Sequence, residues 1–147
     1  MTKPSDTRRA LAARLFAFAG AATLASAASA AKPGGYRVVF QVSDADSKKW
    51  SLTLNNVRNA QEELGAANVT IEVVVYGPGI GMLKADSEVG ARVHEALAAG
   101  VAVVACENTM RGQKLSPSDM LPRIGYVAAG IAELIKRQAE GYAYIRA

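Results

Sequence analysis

Cys106 is the single cysteine of this 147-residue chain and the side chain best suited to covalent chemistry. The thiolate is the reactive form, and cations or a helix N-terminus lower the pKa of a thiol. Arg111 and Lys114 follow it closely enough to act as such cations if the loop folds back. A lone cysteine excludes an intrachain disulfide, so its chemistry would be a persulfide, a mixed disulfide or a thioester. A buried core position is the alternative, since cysteine is often buried.

Two further motifs carry weaker signals for a ligand or metal site. Gly77-Pro78-Gly79-Ile80-Gly81 is glycine-rich, but it lacks the Lys-Ser/Thr of a phosphate loop, and Pro78 removes one amide donor. We expect a tight turn there, with backbone contact to a ligand, through Gly77 and Gly79, as the alternative. Asp44-Ala45-Asp46 stands beside two lysines, which favours solvated helix-start residues over a metal site. We therefore predict no metal ion and no cofactor.

Polar residues inside predicted helices are the last candidates. His94, the single histidine, lies off the apolar stripe of its helix, which indicates a solvated face. Asn55 and Asn59 share one helix face although asparagine is a poor helix former. These two side chains are predicted to support a neighbouring element or, alternatively, to contact a ligand.

Strand-like and helix-like segments alternate along residues 32–147. The predicted strands are Tyr36 to Val42, Val69 to Tyr76, Val101 to Ala105, Ile124 to Val127 and Tyr142 to Arg146. The predicted helices are Ser47 to Leu64, Ser87 to Ala99 and Ala129 to Glu140. A polar, turn-rich stretch is expected from Cys106 to Pro122, with one helical turn starting at Ser116. This alternation predicts an α/β fold with a mostly parallel sheet of about five strands between helical layers.

Parallel sheets usually place ligands and reactive groups beyond the carboxyl ends of their strands. Four segments are predicted to meet there: residues 43–46, 77–81, 106–110 and 128–130. Cys106 would therefore lie at the edge of the sheet where such folds carry out their chemistry.

Residues 1–31 are predicted to be an export signal. A basic start with the pair Arg8-Arg9 precedes an apolar run from Leu15 to Ala28, and small residues suited to cleavage follow. The arginine pair resembles a twin-arginine signal, and a general secretory signal is the alternative. We expect a periplasmic domain of residues 32–147 that is not inserted in the membrane after the signal is removed. Its net charge, 13 basic minus 12 acidic side chains or +1, disfavours nucleic-acid binding.

Four segments together resemble the DsrE/DsrF-like proteins, in particular a stand-alone exported branch of them. They are Val38-Val39-Phe40-Gln41-Val42-Ser43, Leu54-Asn55-Asn56-Val57-Arg58-Asn59, Tyr76-Gly77-Pro78-Gly79-Ile80 and Cys106-Glu107-Asn108-Thr109-Met110. The resemblance implies a three-layer α/β/α domain that forms homo-oligomers, as trimers or hexamers. In the sulfur-relay members a cysteine after the third strand accepts sulfane sulfur as a persulfide, and Cys106 matches that position. Relay subunits usually have an alanine-rich helix and a basic pair after this cysteine, which this chain lacks.

Two functions follow from these observations. The first is an exported persulfide carrier that exchanges sulfur with a protein or small molecule, in which Cys106 is the nucleophile. Asn108, Thr109, Gly77 and Gly79 would shape its pocket, and Asn55 is a further candidate contact. The second is a non-catalytic module of the same fold that binds a small ligand or assembles with a partner.

Overall fold

A computed structural model describes residues 35–147 of the chain. The predicted export signal and the domain boundary after residue 31 lie outside these residues. The described part has five strands: β1 (Tyr36–Val42), β2 (Val69–Val75), β3 (Ala102–Cys106), β4 (Gly125–Val127) and β5 (Ala143–Arg146). Its α-helices are α1 (Ser47–Leu64), α2 (Gly90–Ala98), α3 (Glu107–Gly112) and α4 (Gly130–Ala139). Two 3₁₀ segments, Gly77–Leu83 and Pro117–Asp119, complete the elements.

The five strands form one sheet in the order β4-β3-β2-β1-β5, and every pairing is parallel. The predicted α/β fold with a parallel sheet is therefore confirmed. Because all the strands run in the same direction, the segments that follow them emerge at one edge of the sheet.

Helices cover both faces of the sheet, which gives the three layers. The larger core lies under α1 and α2, where Phe40, Val73 and Val103 face Leu54 and other helix residues. The opposite face is covered by α4, and its smaller core contains Val39, Val74, Val104 and Leu134. Successive strand residues point to opposite faces, so β2 is buried on both sides, as its nearly continuous apolar sequence predicts.

Helix α1 begins and ends as its sequence predicts. The Asp46 carboxylate caps the N-terminus by accepting a hydrogen bond from the Lys48 amide at 2.9 Å. At the other end Gly65 has a φ of +85°, a conformation that favours glycine. The indole N–H of Trp50 donates to the Asp44 carbonyl at 2.7 Å and so ties the first turn of α1 to the loop after β1.

The segment after Cys106 differs from the prediction. It was expected to be a polar, turn-rich stretch, but helix α3 begins at Glu107, directly after the strand. An acidic residue in the first turn and Arg111 in the last turn both favour this helix through its dipole. The expected helical turn after Ser116 is present, and the Ser116 and Asp119 side chains form its capping box.

Two other elements differ from the prediction by more than one residue at an end. Helix α2 begins at Gly90 rather than at Ser87, because a turn precedes it in which the Gly90 amide donates to the Ser87 carbonyl. The predicted tight turn at residues 77–81 is instead the longer 3₁₀ segment Gly77–Leu83, which buries Ile80, Met82 and Leu83. Within residues 35–147 no helix combines the length and apolar character needed to cross a membrane.

Candidate functional site

Cys106 is the last residue of β3 and immediately precedes α3. Because side chains alternate along a strand, it shares a sheet face with Val104, which packs in the core under α4. The residue is 5% exposed. The thiol therefore lies at the carboxyl edge of the sheet, on the α4 face, with a small opening to solvent.

The surroundings of the thiol are rich in hydrogen-bond donors. Burial opposes ionisation of Cys106, but the Thr109 hydroxyl and the backbone N–H groups of Gly130, Thr109 and Asn108 outweigh it and hold the thiol pKa below its usual value. The amides of Asn108 and Thr109 belong to α3, and that of Gly130 begins α4. A thiolate at this position is thus stabilised from two helices at once.

The Thr109 hydroxyl is held in place by the loop after β2. The Gly77 amide donates to Thr109 Oγ1 at 2.9 Å, so the oxygen acts as an acceptor there and its hydrogen remains free to point at sulfur. The Gln113 side chain donates to the Gly77 carbonyl at 3.4 Å. These contacts connect the glycine-rich segment to the thiol through Thr109.

The start of α4 is fixed against the sheet by close packing. A Cβ atom at Gly130 would lie 3.0 Å from the Tyr76 side chain, so a larger residue would displace one of the two. The Asn108 amide also donates to the Ala128 carbonyl at 3.2 Å, which joins α3 to the connection between β4 and α4. Glycine at position 130 therefore allows the start of α4 to approach Tyr76, the residue after β2, and places the Gly130 amide near the thiol.

Arg111 does not play the part that its place in the sequence suggested. Its guanidinium donates to the side-chain oxygen of Asn108, at the exposed rim of α3. The leading stabilisers of the thiolate are a hydroxyl and backbone amides. The positive field at Cys106 thus comes chiefly from oriented dipoles, which a short sequence motif does not reveal.

The structure places Cys106, Asn108, Thr109 and Gly77 close together, and their role as a pocket stays a prediction. Gly79 is close by but serves packing, because a Cβ atom there would lie 2.7 Å from the Val42 carbonyl oxygen. Asn55 is separate from them. It lies on α1, on the opposite face of the sheet, and its side-chain oxygen accepts a hydrogen bond from Arg92 of α2 at 2.6 Å.

The acidic loop after β1 is also at this edge, and its carboxylates have partners. Asp44 pairs with Arg146 at 3.0 Å and Lys49 at 3.3 Å, and these cations hold the pKa of its carboxyl below the usual value. Asp46 is the cap of α1. Among residues 35–147 no group of three or more His, Cys, Asp or Glu side chains is placed to hold a metal ion.

Glu72 is the ionisable residue of this face whose importance the sequence analysis missed. It is 3% exposed in the middle of β2 and forms a salt bridge with Arg137 of α4. Arg137 also pairs with Glu133 and Glu140, each at 3.0 Å. A glutamate in a mostly apolar strand was the available signal, because a buried charge needs a partner.

The fold and the thiol site define an α/β protein with a buried cysteine at the carboxyl edge of its parallel sheet. The DsrE/DsrF-like family model matches residues 36–147, and the chain belongs to this family. This confirms the resemblance seen in the sequence. None of the curated proteins matches the chain.

The solved structures that are similar to this chain include the following three. A protein of unknown function from Methanobacterium thermoautotrophicum, MTH1491, is 39% identical with a TM-score of 0.73, and the match covers 76% of this chain and 99% of that one. The ychN protein from E. coli is 12% identical with a TM-score of 0.62, covering 77% and 99%. A conserved protein of unknown function from Bacteroides thetaiotaomicron, BT1422, is 14% identical with a TM-score of 0.63, covering 76% and 94%. The last two show the fold alone.

Proposed function

We propose that this protein is an exported carrier of sulfane sulfur, with Cys106 as the acceptor. The observation that carries the proposal is the set of donors around the thiol: the Thr109 hydroxyl and the amides of Gly130, Thr109 and Asn108. These donors favour the thiolate, which is the form that attacks a sulfane sulfur. Membership of the DsrE/DsrF-like family gives further support, because its sulfur-relay members use a cysteine after the third strand.

The reaction needs no external oxidant. The Cys106 thiolate attacks the sulfane sulfur of thiosulfate, a new S–S bond forms, and the S–S bond of the donor breaks. Sulfite leaves with the electron pair, and the protein holds a persulfide anion. The charge sums to minus three before and after transfer. The same donors that stabilise the thiolate would then lie beside the persulfide.

Access to the thiol restricts the donor. With 5% of Cys106 exposed, a folded partner cannot lay a broad surface on the sulfur. A small molecule, or a cysteine at the end of an extended segment, fits the opening better. Sulfur would leave by the same route to an acceptor thiolate, in a second exchange of the same kind.

Intact-mass spectrometry of the purified protein tests the proposal directly. After treatment with thiosulfate, or with inorganic polysulfide as a second donor, we expect the mass to rise by one sulfur atom and to return after a thiol reductant. Cys106→Ser should gain nothing. Asn55→Ala is the matched control, because Asn55 lies on the other face of the sheet, and it should gain sulfur as the wild type does. A wild-type thiol that gains no sulfur from either donor while the protein is folded contradicts the proposal.

The same mass measurement tests export. Secretion of the chain by a Gram-negative host should yield a periplasmic protein that lacks about residues 1–31. A periplasmic fraction without the protein, or one with the full-length mass, contradicts this part of the proposal. Replacing Arg8 and Arg9 by lysines distinguishes the two routes, because the twin-arginine pathway reads that pair.

A second candidate function is a non-catalytic assembly or binding module. The exposed side of α4 favours it, since Ile131 and Ile135 are 57% and 61% exposed on neighbouring turns of the helix. We propose that the protein forms homo-oligomers, trimers or hexamers, and light scattering with size exclusion measures this. If Cys106→Ser assembles normally and keeps the cellular function, the protein is a non-catalytic assembly or binding module and not a sulfur carrier.

A further inference from the structure

A shallow cleft lies between α1 and α2, on the sheet face opposite Cys106. Its volume is 170 Å³, which is room for roughly five water molecules. The lining residues recur at the same helical spacing on both helices: Leu54, Val57, Arg58 and Gln61 from α1, and Arg92, Glu95, Ala96 and Ala99 from α2. Each helix therefore presents one continuous stripe to the cleft.

The cleft has an apolar floor and a polar rim. Leu54, Val57 and Ala96 form the floor and belong to the larger core. Arg58 of α1 and Arg92 of α2 line the cleft from opposite helices. An apolar floor with a few polar groups that converge on it is typical of small-molecule sites.

Arg92 is held in position before any ligand arrives. Its guanidinium donates to the Ser51 carbonyl at 3.3 Å and to the Asn55 side chain at 2.6 Å, which fastens α2 to α1. A guanidinium has five N–H donors, so these two bonds leave others free. Because the side chain is already ordered, a ligand that binds it loses less conformational freedom on binding.

The charges of the lining favour an anion. The lining contains two arginines, Arg58 and Arg92, and one glutamate, Glu95, which gives it a net charge of +1. Gln61 donates to the Ala99 carbonyl at 2.9 Å and so satisfies the carbonyl at the end of α2. Arg58 pairs with Glu62 at 3.6 Å, but both side chains are mostly exposed, and such pairs are weak and easily exchanged.

We propose that this cleft binds a small carboxylate with a short apolar chain. The carboxylate lies between Arg58 and Arg92, and the chain covers Leu54, Val57 and Ala96. Guanidinium groups bind carboxylates through paired hydrogen bonds, which ammonium or hydroxyl compounds of the same size cannot form with them. With about six non-hydrogen atoms, the ligand is expected to bind in roughly the millimolar range.

The test uses butanoate as the probe, with butylammonium and butanol as matched probes of the same chain length. Each is titrated into the purified protein at constant ionic strength while amide NMR signals are followed. Butanoate should give saturable shifts confined to α1 and α2, and the other two should not. Equal shifts with butanol, or no saturable shift with butanoate, overturn the proposal.

Three variants locate the binding. Arg58→Gln should weaken butanoate binding about tenfold, because a charge-assisted hydrogen bond is lost and Arg58 supports no other element. Glu95→Gln should strengthen binding by removing a like charge. Lys136→Gln, on the far face of the sheet, should leave it unchanged. Unchanged binding in Arg58→Gln contradicts the assignment. Since no sulfur chemistry is read, failure here is distinct from failure of the carrier proposal.

Discussion

The α4 face of the sheet holds two buried ionisable groups that are stabilised in different ways. Cys106, at the carboxyl edge, faces a hydroxyl and the amides of two helices. Glu72, three positions before the end of β2, faces the guanidinium of Arg137. Burial raises the pKa of the Glu72 carboxyl and Arg137 opposes this rise, whereas the donors around Cys106 lower its pKa.

Under the proposed function, this difference separates a thiol placed for chemistry from a carboxylate that supports the fold. A dipole stabilises an anion without bonding its charge to one partner, so the sulfur can still attack. The salt bridge between Arg137 and Glu72 instead joins α4 to β2, and the Glu72 carboxylate is bound to the guanidinium. The Tyr142 ring lies 5.3 Å from the Arg137 guanidinium and covers it further. The four predictions that follow test this division.

Removing the guanidinium of Arg137 should have the largest effect on stability. Arg137→Met keeps the aliphatic stem but leaves Glu72 buried without its partner, and we expect the free energy of unfolding to fall by about 3 kcal/mol. Denaturant unfolding measures it. Arg37→Met is the matched control, because Arg37 also stacks on Tyr142, at 5.6 Å, but has no salt bridge to Glu72. An equal loss in both variants would mean that stacking, and not the buried pair, stabilises this face.

Disturbing the glycine-rich segment should affect the thiol but not the salt bridge. In Gly79→Ala the new Cβ would lie 2.7 Å from the Val42 carbonyl oxygen, and we expect a loss of about 2 kcal/mol of stability. Because Gly77 orients Thr109, the thiol pKa should also rise, as followed by the pH dependence of iodoacetamide labelling. Gly112→Ala, where nothing lies within 4 Å of the new Cβ, should change neither. If the thiol pKa is unchanged in Gly79→Ala, the glycine-rich segment has no influence on the ionisation of Cys106.

Removing the Thr109 hydroxyl should lower the reactivity of the Cys106 thiol without unfolding the protein. Thr109→Val deletes the hydroxyl that helps to hold the thiol pKa low, so the thiol pKa should rise and labelling at neutral pH should slow about tenfold. Thr109→Ser keeps the hydroxyl and should react like the wild type. If valine and serine label at the same rate, backbone amides alone stabilise the thiolate.

The smallest effect expected is a pH dependence of stability. The pKa of Cys106 is lower in the folded chain than its ordinary value of 9.0. Its ionisation therefore contributes stability that is fully present above 9.0 and is lost as the pH falls through the folded pKa. The difference in unfolding free energy between wild type and Cys106→Ser should rise with pH across this window. A flat difference would mean that folding leaves the thiol pKa unchanged.

Much of the fold could be predicted because its signals are local. The limits of β1 and α1 agree with the sequence prediction, since an apolar strand, an Asp46 cap and a Gly65 stop each act within a few residues. Helix α3 was missed because it is six residues long and opens without a side-chain cap, so its sequence resembles a turn. The length of the Gly77–Leu83 segment was missed because burial against the sheet, and not periodicity, fixes it.

The candidate site was predictable in part for the same reason. Strand order alone placed Cys106 at the carboxyl edge, and the resemblance singled it out. Gly130 could not be identified as a donor to the thiol, because it lies 24 residues further along the chain and approaches only through its contact with Tyr76. Asn55 was wrongly grouped with the residues around Cys106. Helical spacing shows which residues share a helix face, but it does not show which element that face packs against.

The sequence by itself determined that one parallel α/β domain presents one thiol at the carboxyl edge of its sheet, because hydrophobic periodicity and turn residues act locally. The tertiary structure decided what surrounds that thiol. Two helix starts, from residues 107–109 and residue 130, meet at Cys106 because the sheet brings β2, β3 and β4 side by side. It also decided that Glu72 meets Arg137 across 65 residues. Electrostatic environments depend on distances between segments, and only folding sets those distances.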